Sequence, residues 1–544
     1  EKLHIFPYNT CMKISCAQLN PIVGDINGNT QKILKVIKSD DNKTQDIVLF
    51  PELCICGYPP KDILLYNAFI QQVESSLETI TKETKGSKTT FFLGHPARVN
   101  NQLLNRCSVI QNGTILATYD KQLLPTYDVF DESRYFTPGL KSLVIDVNGT
   151  KVGVSICEDA WDKEYTLSPL QKLVEQGAEL IVNLSASPYE LGKEEVRQTL
   201  FLEYAKSLSV PIAVVNQVGA NDELLFDGHS FYCDESGKVI AEAPGFEEGV
   251  FDMTSGTRPK SHSENSLDLL HKALETGIRD YVRKSGFSQV LLGLSGGIDS
   301  AITATLAVDA LGAENVLGIT MPSEYSSDGS ISDSIELAQN LGIEIHEVPI
   351  KNIFTQYTKS LSPLFKDLPF DLAEENLQSR IRGTLLMSVS NKFNRLLLTT
   401  GNKSEMAVGY CTIYGDMNGA LGVIGDVYKT KVYELARHLN KDTLRIPVNT
   451  IEKAPSAELR PDQKDQDSLP EYDVLDSILT RFIENKESTE SIIRAGFDAD
   501  VTKKITRLVK INEYKRFQAP PILKLTPTSF GTSRRMPIVS REEL

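Results

Sequence analysis

The stretch Gln289-Val-Leu-Leu-Gly-Leu-Ser-Gly-Gly-Ile-Asp-Ser300 decides how this chain folds. A short apolar run ends in glycines and passes at once into a helical pattern, so it reads as strand, loop and helix. Glycines let backbone N–H groups approach an anion closely, and the start of a helix adds favourable potential. Ser295 and Ser300 add hydroxyl donors. Asp299 would repel a phosphate unless a cation lay between them, so the loop implies Mg²⁺ as well as a phosphate. The common ATPase loop GxxxxGK[ST] occurs nowhere in the chain.

Moving outward, a second α/β series continues downstream, with strands expected at 316–321, 345–350 and 396–400 and a helix at 266–284. Residues 255–265 (SGTRPKSHSEN) are polar and turn-rich and read as a linker. Before them, strands are expected at 13–18, 46–50, 90–94, 151–157, 179–184 and 211–218. Amphipathic helices are expected at 31–38, 67–81 and 194–207. Asn112-Gly113 and Asn148-Gly149 are hairpin turns. The reading is two α/β domains, 12–254 and 266–544, with no internal repeat. Residues 1–11 are set aside, because Met12 can serve as the natural start. The charged, proline-bounded stretch 457–469 is either a mobile lid or a surface excursion.

Composition narrows the function. The chain has 544 residues, 41% hydrophobic and 24% charged, an ordinary globular balance. Acidic residues outnumber basic ones 72 to 57, giving −15. That argues against coating nucleic acid or an anionic membrane. No run of about 18 apolar residues appears. Eight scattered cysteines suggest reduced thiols in a cytoplasmic protein, and seven histidines without HExxH spacing give no zinc site.

The loop Gly293, Leu294, Ser295, Gly296, Gly297, Ile298, Asp299, Ser300 resembles the PP-loop of the ATP pyrophosphatase family. That resemblance implies a Rossmann-like parallel sheet and cleavage of ATP between its α and β phosphates through an adenylated intermediate. Four further motifs follow in order: Glu375-Asn-Leu-Gln-Ser-Arg-Ile-Arg382, Leu398-Thr-Thr-Gly-Asn-Lys-Ser-Glu405, Gly409-Tyr-Cys-Thr-Ile-Tyr-Gly-Asp416 and Lys453-Ala-Pro-Ser-Ala-Glu-Leu459. Together they resemble NAD synthetases, which amidate deamido-NAD. The resemblance implies ATP contacts at Thr400, Lys429 and Ser456, and deamido-NAD contacts at Asn376, Arg380, Glu405 and Lys515. It also places the metal on Asp299 and Glu405. Members that use only free ammonia carry lysine at Ile413 and aspartate at Ala420, so those positions are unassigned.

In the first half, three strand candidates end in reactive residues: Glu52, Lys121 and Cys157. Taken alone, a thiol after an apolar run is a small buried hydrophobe, and a lysine is a solvated charge. Together they supply a nucleophile, a base and a cation for the anionic states. The backbone N–H after Cys157 is a further donor. This half resembles the nitrilase-type amidohydrolases, which implies an α-β-β-α sandwich and a Glu–Lys–Cys triad. The stretch 120–136 is similar to the glutaminase domain attached to NAD synthetases, which implies glutamine contacts at Tyr127, Ser187 and Lys193. Many nitrilases carry a second glutamate soon after the lysine; Glu132 stands further on, and its role is left open.

Joined, the halves resemble the glutamine-dependent NAD synthetase family. L-Glutamine, ATP with Mg²⁺ and deamido-NAD are then the expected small-molecule partners, with an enclosed passage for ammonia and a homo-oligomeric state. A different PP-loop amidotransferase or a nucleotide- or tRNA-modifying enzyme is one alternative and a non-catalytic scaffold the other; the acidic balance and the motifs 375–382 and 453–459 disfavour the first, and the intact triad and loop the second.

Overall fold

The structure is a computed structural model that describes residues 12–254, 266–461 and 463–541. Residues 1–11 and the expected linker 255–265 lie outside the described residues. The chain divides into two compact units, Glu1–Glu264 and Asn265–Leu544.

In the first unit two six-stranded sheets pack face to face. One runs Gly249–Asp252, Ile14–Gln18, Ile47–Leu49, Thr90–Val99, Gln102–Gln111, Thr114–Asp120 in spatial order. The other runs Val239–Glu242, Phe231–Cys233, Ile212–Asn216, Leu180–Ser185, Thr150–Ile156, Leu143–Val147. The inner strands of each sheet pair in parallel and the outer ones antiparallel.

Period-two alternation explains the layers. Leu180, Val182 and Leu184 join Ile14, Cys16, Ile47 and Leu49 in the core between the sheets. Ile181 points the other way, to Leu200 and Phe201 of the helix Lys193–Leu208. The helices Ile26–Lys38 and Asn67–Glu83 cover the outer face of the first sheet. The layering is α-β-β-α, as the resemblance implied. Both hairpins form on Asn-Gly turns with positive φ, 48° and 80° at Asn112-Gly113 and 52° and 87° at Asn148-Gly149. The expected strand 211–218 breaks in two: Ile212–Asn216 stays in the sheet, while Val218–Asn221 pairs with Leu224–Asp227 in a separate ribbon.

The second unit carries a five-stranded, wholly parallel sheet. Its spatial order is Glu344–Glu347, Val316–Thr320, Val290–Gly293, Leu396–Thr399, Leu421–Gly422. Counted along the chain the order is 3-2-1-4-5, so it reverses between Val290–Gly293 and Leu396–Thr399. Crossovers on either side of that point run to opposite faces and leave a crevice beyond the strands' carboxyl ends. The glycine-rich loop and Thr400 both leave the sheet there. The helix Ser266–Lys284 forms where the sequence placed it. The helices after Val448 add a second apolar cluster around Leu475, Ile478, Ile505 and Val509. Among the described residues, no helix is long and apolar enough to cross a membrane.

Candidate active sites

In the first unit Glu52 and Lys121 lie just past strands and are fully buried. The Lys121 Nζ donates to Glu52 Oε1 at 2.7 Å and to both Glu132 oxygens at 2.9 Å. Asn105 Nδ2 donates to Glu52 Oε1 at 2.7 Å, and the Ala186 N–H to Glu52 Oε2 at 3.2 Å. Burial alone would push the Lys121 ammonium down, but Glu132 and Glu52 outweigh it and hold its pKa well above the usual lysine value. Lys121 is a fixed cation. Burial pushes the Glu132 carboxyl up to about 7 against the pull of Lys121. Tyr58 donates to the same carboxylate at 2.9 Å.

Cys157 ends the strand Thr150–Ile156 and begins the short turn Cys157–Ala160. Its φ is +41°, a conformation costly for a residue with a Cβ. Burial and then Glu52 raise the thiol pKa, Lys121 opposes them, and the net effect leaves it protonated at rest. A base must therefore take its proton before it can attack, and Glu52 acts on it most strongly among the charged groups.

Two of the three expected glutamine residues are tied to this turn. Tyr127 donates to Glu158 at 3.1 and 3.2 Å, and Tyr165 donates to the same carboxylate at 3.1 Å. The Lys193 Nζ sits 4.5 Å from the centroid of the Trp161 ring and 3.8 Å from Glu190 Oε1. Ser187 is buried, and its N–H donates to Asn216 Oδ1 at 2.9 Å, one residue beyond the Ala186 contact with Glu52.

In the second unit the loop is knitted by its own serines. Ser295 and Ser300 hydroxyls lie 3.2 Å apart, the Gly297 N–H donates to Ser295 Oγ at 3.2 Å, and Ser300 Oγ donates to the Gly297 carbonyl at 3.0 Å. Gly296 has φ +75°, and a Cβ there would stand 2.4 Å from the Ser330 carbonyl oxygen. Only glycine fits. A cavity of about 170 Å³ opens beside the loop. Gly293, Leu294, Ser295, Thr400 and Ser456 line it, while Gly296, Gly297, Asp299, Ser300 and Lys429 are outside its lining.

Asp299 and Lys429 join a charged cluster instead. The Lys429 Nζ contacts Asp299 Oδ2 and lies 3.3 Å from Glu405 Oε1, and Asn402 Nδ2 donates to Asp299 Oδ1 at 3.0 Å. Burial pushes Glu405 up to about 8, with Lys429 pulling down and Asp299 pushing up. Burial lowers the affinity of Lys429 for its proton, but Asp299 and Glu405 raise it further. Two carboxylates sharing one ammonium suit a divalent cation that takes its remaining ligands from phosphate oxygens and water. Among the described residues no group of three metal-ligating side chains forms.

Asn376, Arg380 and Lys515 converge on the segment 409–413. Thr412 Oγ1 donates to Asn376 Oδ1 at 2.8 Å, Arg380 Nε donates to the Ile413 carbonyl at 3.3 Å, and Lys515 Nζ donates to the Gly409 and Cys411 carbonyls at 2.7 and 2.8 Å. Asn376 and Arg380 are four apart on the helix Leu372–Phe393 and share a face.

The structure adds groups to which the sequence assigned no role. Glu132 proves to be a direct partner of Lys121. Glu158 and Asp159 follow the thiol and were given no role. Arg382 lines the cavity, where burial lowers its pKa to about 10. Glu458 caps the same cavity, accepting from Ser327 Oγ at 2.9 Å and Ser330 Oγ at 2.7 Å. This draws the start of the 457–469 stretch over the pocket. No spacing rule signals these contacts; the pairs are brought together by the fold.

The carbon-nitrogen hydrolase family model matches residues 13–254, and the NAD synthase family model matches residues 270–519. The class is therefore an amide hydrolase joined to an ATP-dependent amide ligase. The chain is 50% identical to a glutamine-dependent NAD(+) synthetase of Synechocystis sp., over 96% of this chain and 98% of that one. It is 44% identical to the Aquifex aeolicus protein of the same name, over 97% and 99%. Among solved structures it is similar to the glutamine-dependent NAD+ synthetase of Acinetobacter baumannii in complex with ADP, at 39% identity, 97% and 98% coverage and a TM-score of 0.78. The Cytophaga hutchinsonii synthetase, at 23% identity and a TM-score of 0.84 over 97% and 98%, shows the shared fold. This chain belongs to the glutamine-dependent NAD(+) synthetase family.

Proposed function

We infer that the chain amidates deamido-NAD to NAD at the cost of ATP, with ammonia taken from L-glutamine by its first unit. One observation carries the assignment of the reacting groups: the buried Lys121 ammonium is clamped by Glu52 and Glu132 in the electrostatic reach of Cys157. The protonated resting thiol gives its proton to Glu52 as the sulfur attacks the side-chain amide carbon of glutamine. Lys121 balances the negative charge that develops on the oxygen. The C–N bond breaks, the departing nitrogen takes the proton from Glu52, and a thioester remains. Water, deprotonated by Glu52, cleaves it to glutamate and restores the thiol.

Tyr127, Ser187 and Lys193 are assigned to glutamine. The Glu158 carboxylate beside the thiol complements an α-ammonium, and Lys193 complements an α-carboxylate.

In the second unit, the deamido-NAD carboxylate attacks the α-phosphorus of ATP and pyrophosphate leaves. Ammonia then attacks the acyl carbon and AMP leaves. We assign Gly293 to Gly297, Ser300, Thr400, Lys429 and Ser456 to ATP, and Asn376, Arg380, Glu405 and Lys515 to deamido-NAD. Asp299 and Glu405 would hold Mg²⁺, which supplies positive charge to the phosphates when bound. The net charge of −15 supports a reading without nucleic acid. The family resemblance supports a homo-oligomer acting in the cytoplasm. The test is synthesis with [amide-¹⁵N]glutamine in unlabelled ammonium-free buffer: the label should appear in the carboxamide of NAD, and unlabelled NAD would overturn the assignment.

A further inference from the structure

Asp159 is not one of the reacting groups, yet it is fully buried two residues after the nucleophile. Its carboxylate accepts four hydrogen bonds. Oδ1 takes the N–H groups of Gln122 and Leu123, both at 3.0 Å. Oδ2 takes the Ile156 N–H at 2.9 Å and the Tyr119 hydroxyl at 2.7 Å. The first two donors directly follow Lys121 and the third directly precedes Cys157. The fourth lies two residues before Lys121. One rigid carboxylate therefore spans the lysine-bearing segment and the thiol-bearing turn, which are 36 residues apart in the chain.

We propose that Asp159 is a positioning residue for amide hydrolysis, fixing the Lys121 ammonium against the Cys157 sulfur. An asparagine could not do this. Its amide nitrogen would face either the Ile156 N–H and the Tyr119 hydroxyl or the N–H groups of Gln122 and Leu123. In either orientation at least one backbone N–H meets another donor and must move away. The displacement falls on the segments that carry the cation and the thiol; Tyr127 and Lys193, tied to Glu158 and Trp161 beside the thiol, follow it in part, while Ser187 keeps its anchor on Asn216. The loss should therefore appear mainly in kcat, with a smaller rise in KM.

The proposal rests on the reading of Cys157 as the nucleophile, and Cys157→Ala separates the two. If Cys157→Ala still makes NAD from glutamine, that reading fails. If it does not, Asp159→Asn tests the positioning alone. Its glutamine-dependent kcat should fall about 100-fold, as for a misplacement of about 1 Å, with KM for glutamine within about threefold and ammonium-dependent synthesis at the parental rate. A glutamine kcat within about threefold of the parent, or a KM that rises in step with the loss, overturns the proposal. Should Asp159→Asn lose both activities through misfolding, Tyr119→Phe decides. It removes one neutral donor and should lower the glutamine-to-ammonium rate ratio about three- to tenfold. An unchanged ratio in folded Tyr119→Phe overturns the proposal.

Discussion

Replacing Glu132 by glutamine should slow glutamine hydrolysis and leave the ligase alone. Glu132 accepts from Lys121 Nζ through both oxygens and from the Tyr58 hydroxyl. Glutamine keeps one acceptor and turns an N–H₂ group toward the ammonium, so one charge-assisted bond is lost. Both partners are almost fully buried, so water does not screen the change. Such a bond is worth about 1.5–3 kcal/mol, which at about 1.4 kcal/mol per decade is about 10- to 150-fold in rate.

The pH dependence gives the reasoning a sign. Glu132 titrates near 7, raised by burial. Below that pH the carboxyl is protonated and already resembles glutamine in charge; above it the native site carries the extra negative charge that the variant lacks. The deficit of Glu132→Gln should therefore widen between pH 6 and pH 8. Glutamate release at saturating glutamine measures it, with ammonium-dependent synthesis as the control. Equal rates at all three of pH 6, 7 and 8, or a deficit that shrinks as pH rises, would refute the reasoning.

The Gly296→Ala change puts a Cβ 2.4 Å from a carbonyl oxygen at φ +75°; synthesis from either nitrogen source should fall about 100-fold while glutamate release persists. Lys429→Met leaves Asp299 and Glu405 without their shared cation; denaturant titration should show a loss of about 3 kcal/mol from the second unit, and ammonium-dependent synthesis should cease. Glu158, raised by burial to about 7, binds an ammonium only when ionised. The KM for glutamine should therefore rise about tenfold per pH unit below 7 and level off above it, and Glu158→Gln should show a high KM without that slope.

What the sequence disclosed and what it hid divide along physical lines. Local chemistry was legible: apolar alternation gave the sheet strands, Asn-Gly gave the hairpins, and a glycine run beside an aspartate gave the phosphate loop. Strand ends in Glu, Lys and Cys pointed to one site because sheet geometry gathers strand ends. Long-range partners were not legible. Glu132 reaches Lys121 from a single turn, Glu132–Arg134, that carries no periodicity. Lys403, unremarkable inside its motif, is buried against Asp426 at 2.8 Å and against Glu484, a pairing that only the fold creates. The two-residue strand Leu421–Gly422 is too short to carry an alternating pattern. Asn376, Arg380 and Lys515 came from resemblance, and the structure adds that all three grip one segment, 409–413.

The central claim is a division of labour between two chemistries in one chain, and the Cys157→Ala variant tests it most directly. Assayed with deamido-NAD, ATP and Mg²⁺, it should form no NAD from glutamine and should form NAD from added ammonium at the parental rate. NAD formation from glutamine, or equal loss with both nitrogen sources, would contradict the account.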